Sequence, residues 1–229
     1  MVRPIKKKQI PNLQEAIKDT AWKQIAEFGA PALSLRGIAR ELKISAPAIY
    51  NYFADRDALV TALIIDAFTS FGDSQLAARD SVPEKDLVER FKAIGLSYRD
   101  WAHTHPQRYQ LIFGTPIPGY EYPVEKVFPS SARSIMALFS VVESFRAAGK
   151  LSIENYPVVK KEHQAEFDLW RSQIGDVHPV SHFVAMLIWS RVHGIVSLEI
   201  QGNLPPFGKK GDELYLFELD SIAKQFVQQ

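Results

Sequence analysis

The sequence predicts an all-α protein, and three observations carry that expectation. Apolar residues recur at three- and four-residue spacings along most of the 229 residues. No stretch alternates apolar and polar residues as a half-buried strand would, and no internal repeat is present. Proline and glycine punctuate the ends of the periodic runs. The chain is long enough to bury a sizeable core. Two units are expected: an arm with a three-helix domain over residues 1–57, and a larger helical body over residues 58–229.

Leu13, Ile17, Ala21, Ile25 and Phe28 define a first helix, closed by Gly29. Leu35, Ile38, Ala39 and Leu42 place one apolar stripe on a second, for which Ser34 is the N-cap. Lys43 and Ile44 then separate it from a third, where Ser45 is the expected N-cap and Pro47 occupies the first turn. Ile49 and Phe53 are its inward pair. A long helix opens at Arg56, with Leu59, Leu63, Asp66, Ala67 and Phe71 in its pattern, and runs to about Ala78. After Val82-Pro83, the positions Leu87, Phe91, Ile94, Leu96, Tyr98 and Trp101 predict a helix ending near His103. Pro106 opens a short one, stopped by the Gly and Pro residues after Phe113. Residues 124–148 follow as a long helix with Phe128, Ile135, Leu138, Phe139 and Val142 on its buried side. Residues 149–161 read as loop, 162–174 as a short helix and 180–201 as a strongly apolar one. Beyond the break at Pro205-Pro206, Leu214, Phe217, Ile222 and Phe226 mark a last helix.

Two short helices joined by so tight a turn must cross steeply, which is the geometry of a helix-turn-helix whose second helix enters a DNA major groove. With Ile49 and Phe53 inward, Ala46, Pro47, Ala48, Tyr50, Asn51 and Tyr52 are left near the outer side. Small side chains let a backbone approach base edges, Asn pairs with adenine, and Tyr hydroxyls reach phosphates. The competing reading is that the tyrosines simply pack on the next helix. Arg36, Arg40, Lys43 and Arg56 flank this surface with cations. Residues 1–60 carry ten Lys/Arg against six Asp/Glu, while the rest carry seventeen against twenty, so positive charge gathers at the DNA-like end. Arg3, Lys6, Lys7 and Lys8 form a basic arm that suits phosphates or a minor groove, or equally a solvated tail.

The run LSLRGIARELKISAPAIYNYFADRDALVTAL, from Leu33 to Leu63, closely resembles the DNA-binding domain of the TetR/AcrR family of bacterial transcriptional regulators. The resemblance implies DNA contacts from Ser34, Arg36, Lys43, Ser45, Ala46, Pro47, Ala48, Tyr50, Asn51, Tyr52 and Arg56. Two positions depart from the family pattern. Lys43 stands where Gly is usual, so a positive φ there would cost about 1 kcal/mol or reshape the turn. Arg56 stands where Lys is frequent, which keeps the charge and changes the geometry. The stretch from Tyr98 to Tyr120, with Trp189, His193 and Gly194, resembles more weakly the C-terminal domain of a subgroup named for its Trp-His-Gly signature. That implies a homodimer through the helices at residues 180–202 and 212–227, a pseudo-palindromic double-stranded operator, and a small-molecule inducer. Independently, the apolar helix at 183–200 is apolar nearly all round, and a monomer has only one side on which to hide it.

Trp101, Tyr109, Phe113, Phe139, Phe167, Trp170 and Trp189 are candidates to line an apolar ligand pocket, with His193 as a polar contact and His103, Arg133 and His163 as further orienting groups. Taken singly, each aromatic is more ordinarily a core residue. His178 and His182 stand at i, i+4, a chelating spacing, but no third ligand is in view and no metal is expected. Cysteine is absent, which removes disulfides and thiolate chemistry. Nucleophile-elbow, P-loop, dinucleotide and zinc-protease motifs are also absent, so neither catalysis nor a cofactor is expected. The basic N-terminus lacks the apolar stretch of a secretory signal. Arg191, His193 and Glu199 argue for a buried helix over a membrane span, and a cytoplasmic location is expected. A helical protein-protein adaptor is the alternative to a regulator, and a small-molecule enzyme a more distant one.

Overall fold

The computed structural model describes residues 11–153, 160–208 and 210–228. Among them the regular structure is ten α-helices with two short 3-10 turns. These are α1 (Leu13–Phe28), α2 (Leu35–Glu41), α3 (Ala46–Tyr50), α4 (Arg56–Asp80), α5 (Leu87–Thr104), α6 (Pro106–Phe113), α7 (Val124–Ala147), α8 (Gln164–Ile174), α9 (Pro179–Gln201) and α10 (Asp212–Phe226). The basic arm at 1–10 and residues 154–159 of the expected loop at 149–161 lie outside the described residues.

The helices bury two apolar cores. In the first, Ile17, Ala21 and Ile25 of α1 meet Leu35 and Ile38 of α2, Ile49 and Phe53 around α3, and Leu59 to Phe68 of α4. In the second, Phe71 of α4 joins Phe91 and Tyr98 of α5, the inner face of α7, Ile188 of α9 and Tyr215 of α10. The 25-residue α4 therefore serves both cores without a break. Trp22, Ile112 and Phe113 also touch both. Helices α4 and α7 are in backbone contact at Gly72, where an added Cβ would meet the Arg133 carbonyl oxygen at 2.8 Å. One turn on, Gln75 Nε2 donates to the Ser134 carbonyl at 2.8 Å, clasping the two helices.

Several faces differ from the sequence expectation. Leu96 points outward, and Phe217 is 70% exposed. On α10 the inner stripe is Tyr215, Leu219, Ile222 and Phe226, so its neighbours Leu216 and Phe217 turn away from the chain. The α9 helix is not buried all round, since only 33% of its most apolar stretch is covered within the chain. By length and composition it would also pass as a membrane span. Its ionic groups have partners, however. Glu199 is fully buried and accepts from Arg99 at 2.8 and 2.9 Å and from the Gly211 N–H at 2.8 Å. Burial alone would raise its carboxyl; Arg99, His103 and the Gly211 N–H together bring it below the ordinary value.

Candidate nucleic-acid interface

The helix-turn-helix is assembled from local signals. Ser34 Oγ accepts from the Gly37 N–H at 3.2 Å as the N-cap of α2, and its own N–H donates to Gln24 Oε1 at 3.2 Å, tying α2 to α1. Leu35, Ile38 and Ala39 are buried beneath, and Arg36 and Arg40 remain exposed. Lys43 takes the left-handed conformation with φ 56°. The tight turn thus forms without glycine, held by the Lys43 N–H on the Arg40 carbonyl (3.2 Å) and the Ile44 N–H on the Ala39 carbonyl (3.0 Å). Ser45 starts α3 by position, but its hydroxyl makes no capping hydrogen bond. Its carbonyl accepts from the Ala48 N–H at 2.9 Å instead, and Pro47 needs no donor there.

The outer surface of α3 is open. Ile49 and Phe53 are 0% and 4% exposed, whereas Tyr50 and Tyr52 are 48% and 46% exposed. Pro47, Asn51 and Lys43 are exposed, and Ala46 and Ala48 are half-buried. The tyrosines therefore do not pack away against the next helix. Arg56 differs from expectation: its guanidinium donates to the carbonyls of Ala30 (3.2 Å) and Pro31 (3.3 Å) and pairs with Asp57 (3.3 Å). A group expected to face phosphate is spent largely on holding the start of α4 to the turn at Ala30–Ala32.

Behind this surface the eight ligand candidates fall into two groups rather than one chamber. Phe113, Trp189, Tyr109 and His193 stack closely, with Trp189 to His193 at 4.8 Å and Phe113 to His193 at 5.0 Å. Trp101 reaches them through Phe71, 4.8 Å away. Phe139, Phe167 and Trp170 instead surround His182, at 4.4, 4.9 and 5.8 Å. Burial pushes His182 down to about 4, so it is a neutral core group. The aromatics fill one another's space, which is why the expected chamber is closed. A small cavity of about 20 Å³ remains beside the first group, and of the eight candidates only Trp189 lines it.

The other polar candidates have structural partners. His103 lies 3.3 Å from Glu199, Arg133 pairs with Asp73, and His163 is exposed beside Glu162. His178 Nδ1 accepts from the Val180 N–H at 3.2 Å and caps α9. Among the described residues no group of three His, Cys, Asp or Glu could hold a metal. His193 carries a polar knot: the hydroxyls of Tyr98 and Tyr109 approach Nδ1 at 2.9 and 3.0 Å, and Ser197 Oγ lies 3.2 Å from Nε2. Burial lowers His193, favouring the neutral ring. Sequence reasoning missed Tyr98 and Ser197 as members of this knot, and it missed Gln24 and Gln75 altogether. Gln75 did carry a signal, as the one amide on a stripe of Ala67 and Phe71 at four-residue spacing.

Comparison with known proteins agrees with this geometry. The family described as "Bacterial regulatory proteins, tetR family" matches residues 17–63, and "Tetracyclin repressor-like, C-terminal domain" matches residues 91–222. The HTH-type transcriptional regulators Rv1816 of Mycobacterium tuberculosis and Mb1846 of Mycobacterium bovis are each 31% identical over 194 residues, covering 83% of this chain and 82% of theirs. The crystal structure of the regulatory protein SCO4313 is 34% identical, with a TM-score of 0.72 over 94% of this chain and all of that one. A Rhodococcus sp. RHA1 protein of unknown function shares the fold, with a TM-score of 0.74 at 21% identity over 98% of this chain and all of that one. The chain belongs to the tetR family of bacterial regulatory proteins and is a DNA-binding transcriptional regulator.

Proposed function

We propose that this regulator is a cytoplasmic homodimeric repressor that places two α3 helices in major grooves of a pseudo-palindromic operator and is released by a small molecule. The observation that carries the reading is the outward face of α3, where Tyr50 and Tyr52 stay about half exposed over a fully buried Ile49. In this reading Ala46, Pro47, Ala48 and Asn51 lie against base edges, while Ser34, Arg36, Lys43, Ser45, Tyr50 and Tyr52 position the backbone. Arg56 contributes its charge while bracing α4. The arm and helices of residues 1–57 form the reader, and residues 58–229 form the ligand and dimer body, with α4 common to both.

The uncovered face of α9 supports the dimer. Phe183, Leu187, Gly194 and Leu198 share one stripe, the Cβ position of Gly194 meets nothing within 4 Å, and Leu216 and Phe217 of α10 lie bare. A second copy of the same face covers them by two-fold symmetry.

Release is transmitted along two routes. Helix α6 carries Tyr109 against His193, while its Arg108 lies over the Trp22 ring of α1 at 5.2 Å. Helix α4 runs from Gln75 to Arg56, roughly 28 Å at the usual helical rise, so a tilt of about 5° at one end shifts the other by about 2 Å. A coupling of roughly 1 to 3 kcal/mol then weakens operator binding several-fold to a hundred-fold. The test is fluorescence anisotropy on a bound genomic fragment together with sedimentation. Tyr50→Ala and Arg36→Ala are expected to weaken DNA binding at least ten-fold while the dimer persists; unchanged affinity in both would overturn the assignment of this surface.

A further inference from the structure

We propose that Gln24, on α1, is a further DNA contact: its side-chain amide donates to a backbone phosphate beside the major groove, from a seat that Gly37 leaves open. This rests on the reading of α3 above and adds to that interface a residue from outside the helix-turn-helix.

Helix α1 buries Ile17, Ala21 and Ile25, and Gln24 sits at the edge of that stripe, half-buried, facing the start of α2. Chemistry fixes the orientation of its amide. Only the oxygen can accept, and Oε1 takes the Ser34 N–H at 3.2 Å, so Nε2 carries its two N–H groups to the other side. There it lies over Gly37. A Cβ built on that glycine would stand 2.9 Å from Nε2 and 3.5 Å from Ser34 Cβ. The amide therefore fills the space of the missing side chain, and a larger residue at position 37 would push it aside.

The outer half of this arrangement is unfinished. Among the described residues Nε2 has no acceptor, and it is not shut off from water. The Ser34 hydroxyl beside it accepts from the Gly37 N–H at 3.2 Å, which leaves its own proton to give. Ser34 and Arg36 are both exposed. Two donors and a guanidinium suit an anionic group that only accepts, and on a duplex that group is the phosphate. The amide donor comes from a 16-residue helix and is clamped at its oxygen end. A phosphate thus meets it already oriented, and little side-chain freedom is lost on binding.

The test compares Gln24→Glu with the wild type, both as full chains, on an operator recovered from genomic DNA. Glutamate keeps the acceptor that holds Ser34 and replaces the donor with a second, charged acceptor. Melting temperature and sedimentation are expected to match the wild type, while operator binding by anisotropy weakens about ten-fold or more. Operators carrying one methylphosphonate in each half-site then locate the contact. At one position the neutral linkage is expected to weaken the wild type several-fold and to leave Gln24→Glu unchanged or improved. Gly37→Ala is an independent arm, since its Cβ displaces the amide while alanine favours the helix. It is expected to be at least as stable as the wild type and to bind the operator several-fold more weakly, and it decides the matter where Gln24→Glu does not fold. Wild-type affinity in either folded variant, or a Gln24→Glu loss that is the same at every methylphosphonate position, would overturn the assignment. Operator binding that Tyr50→Ala still weakens, alongside such a result, leaves the α3 reading standing and removes Gln24 alone.

Discussion

Replacing Lys43 with glycine separates the structural and DNA-contacting roles of a single residue. Lys43 holds φ 56° in the turn between α2 and α3. A side chain in that conformation costs about 1–2 kcal/mol, whereas glycine gives up about 0.5–1 kcal/mol through the freedom it gains when unfolded. The difference favours Lys43→Gly by about 0.5–1 kcal/mol, or an upward shift in melting temperature of about 1–4 °C for a chain of this size. Lys43→Ala keeps the strain and should not gain. Both variants lose the cation, so if Lys43 meets a phosphate, the salt dependence of operator binding flattens by about 0.9 per site, close to 2 per dimer. Urea unfolding of the three proteins at one concentration, with anisotropy titrations across a salt series, reads both effects. A Lys43→Gly protein no more stable than Lys43→Ala would refute the strain argument, and an unchanged salt slope would remove Lys43 from the phosphate contacts.

Further outcomes follow from the same structure. Gly72→Ala drives a Cβ into the backbone of α7 and should cost about 1–3 kcal/mol by urea unfolding, because neither helix can yield by a side-chain rotation. Phe217→Asp on the bare face of α10 is expected to shift sedimentation from dimer toward monomer; a variant that stays dimeric excludes that face. Stability should fall as pH drops from about 6.5, since the unfolded chain then protonates His182 while the folded chain, with His182 at about 4, does not. His193 and His105 are lowered as well and act with the same sign, and His182→Phe should flatten part of the slope. Glu199, whose carboxyl is depressed, contributes above its ordinary range near 4.5 and loses that contribution as the pH falls further. Glu199→Gln leaves Arg99 with only the exposed Asp212, and should cost about 2–4 kcal/mol by the same unfolding assay.

The helix-turn-helix was legible because its determinants are local. Ser34 caps α2 and Ile49 and Phe53 fall four residues apart, whereas the left-handed conformation at Lys43 was suggested only by the glycine usual at that position in the resembling family. Helix ends were readable for the same reason, with Gly29 closing α1 and Pro106 opening α6. What periodicity does not carry is which face of a helix meets which neighbour. On α10 the periodicity picked out Phe217 and passed over Tyr215 two residues away, yet it is Tyr215 that has α5 beneath it, with its hydroxyl donating to the Gly95 carbonyl. The aromatics proposed for one pocket came from helices far apart in sequence, and packing sorted them into two groups that close on themselves. Glu199 read only as a group hostile to a membrane, because its partner Arg99 lies a hundred residues away.

The central claim is that two copies of this chain present α3 to one face of a duplex. Selecting bound fragments from genomic DNA and mapping the protected bases tests it most directly. The account predicts two inverted half-sites whose centres lie about 34 Å apart, one helical turn, or a multiple of it, protected by a dimer. Enrichment of no sequence, or of a lone half-site bound by a single chain, would contradict it.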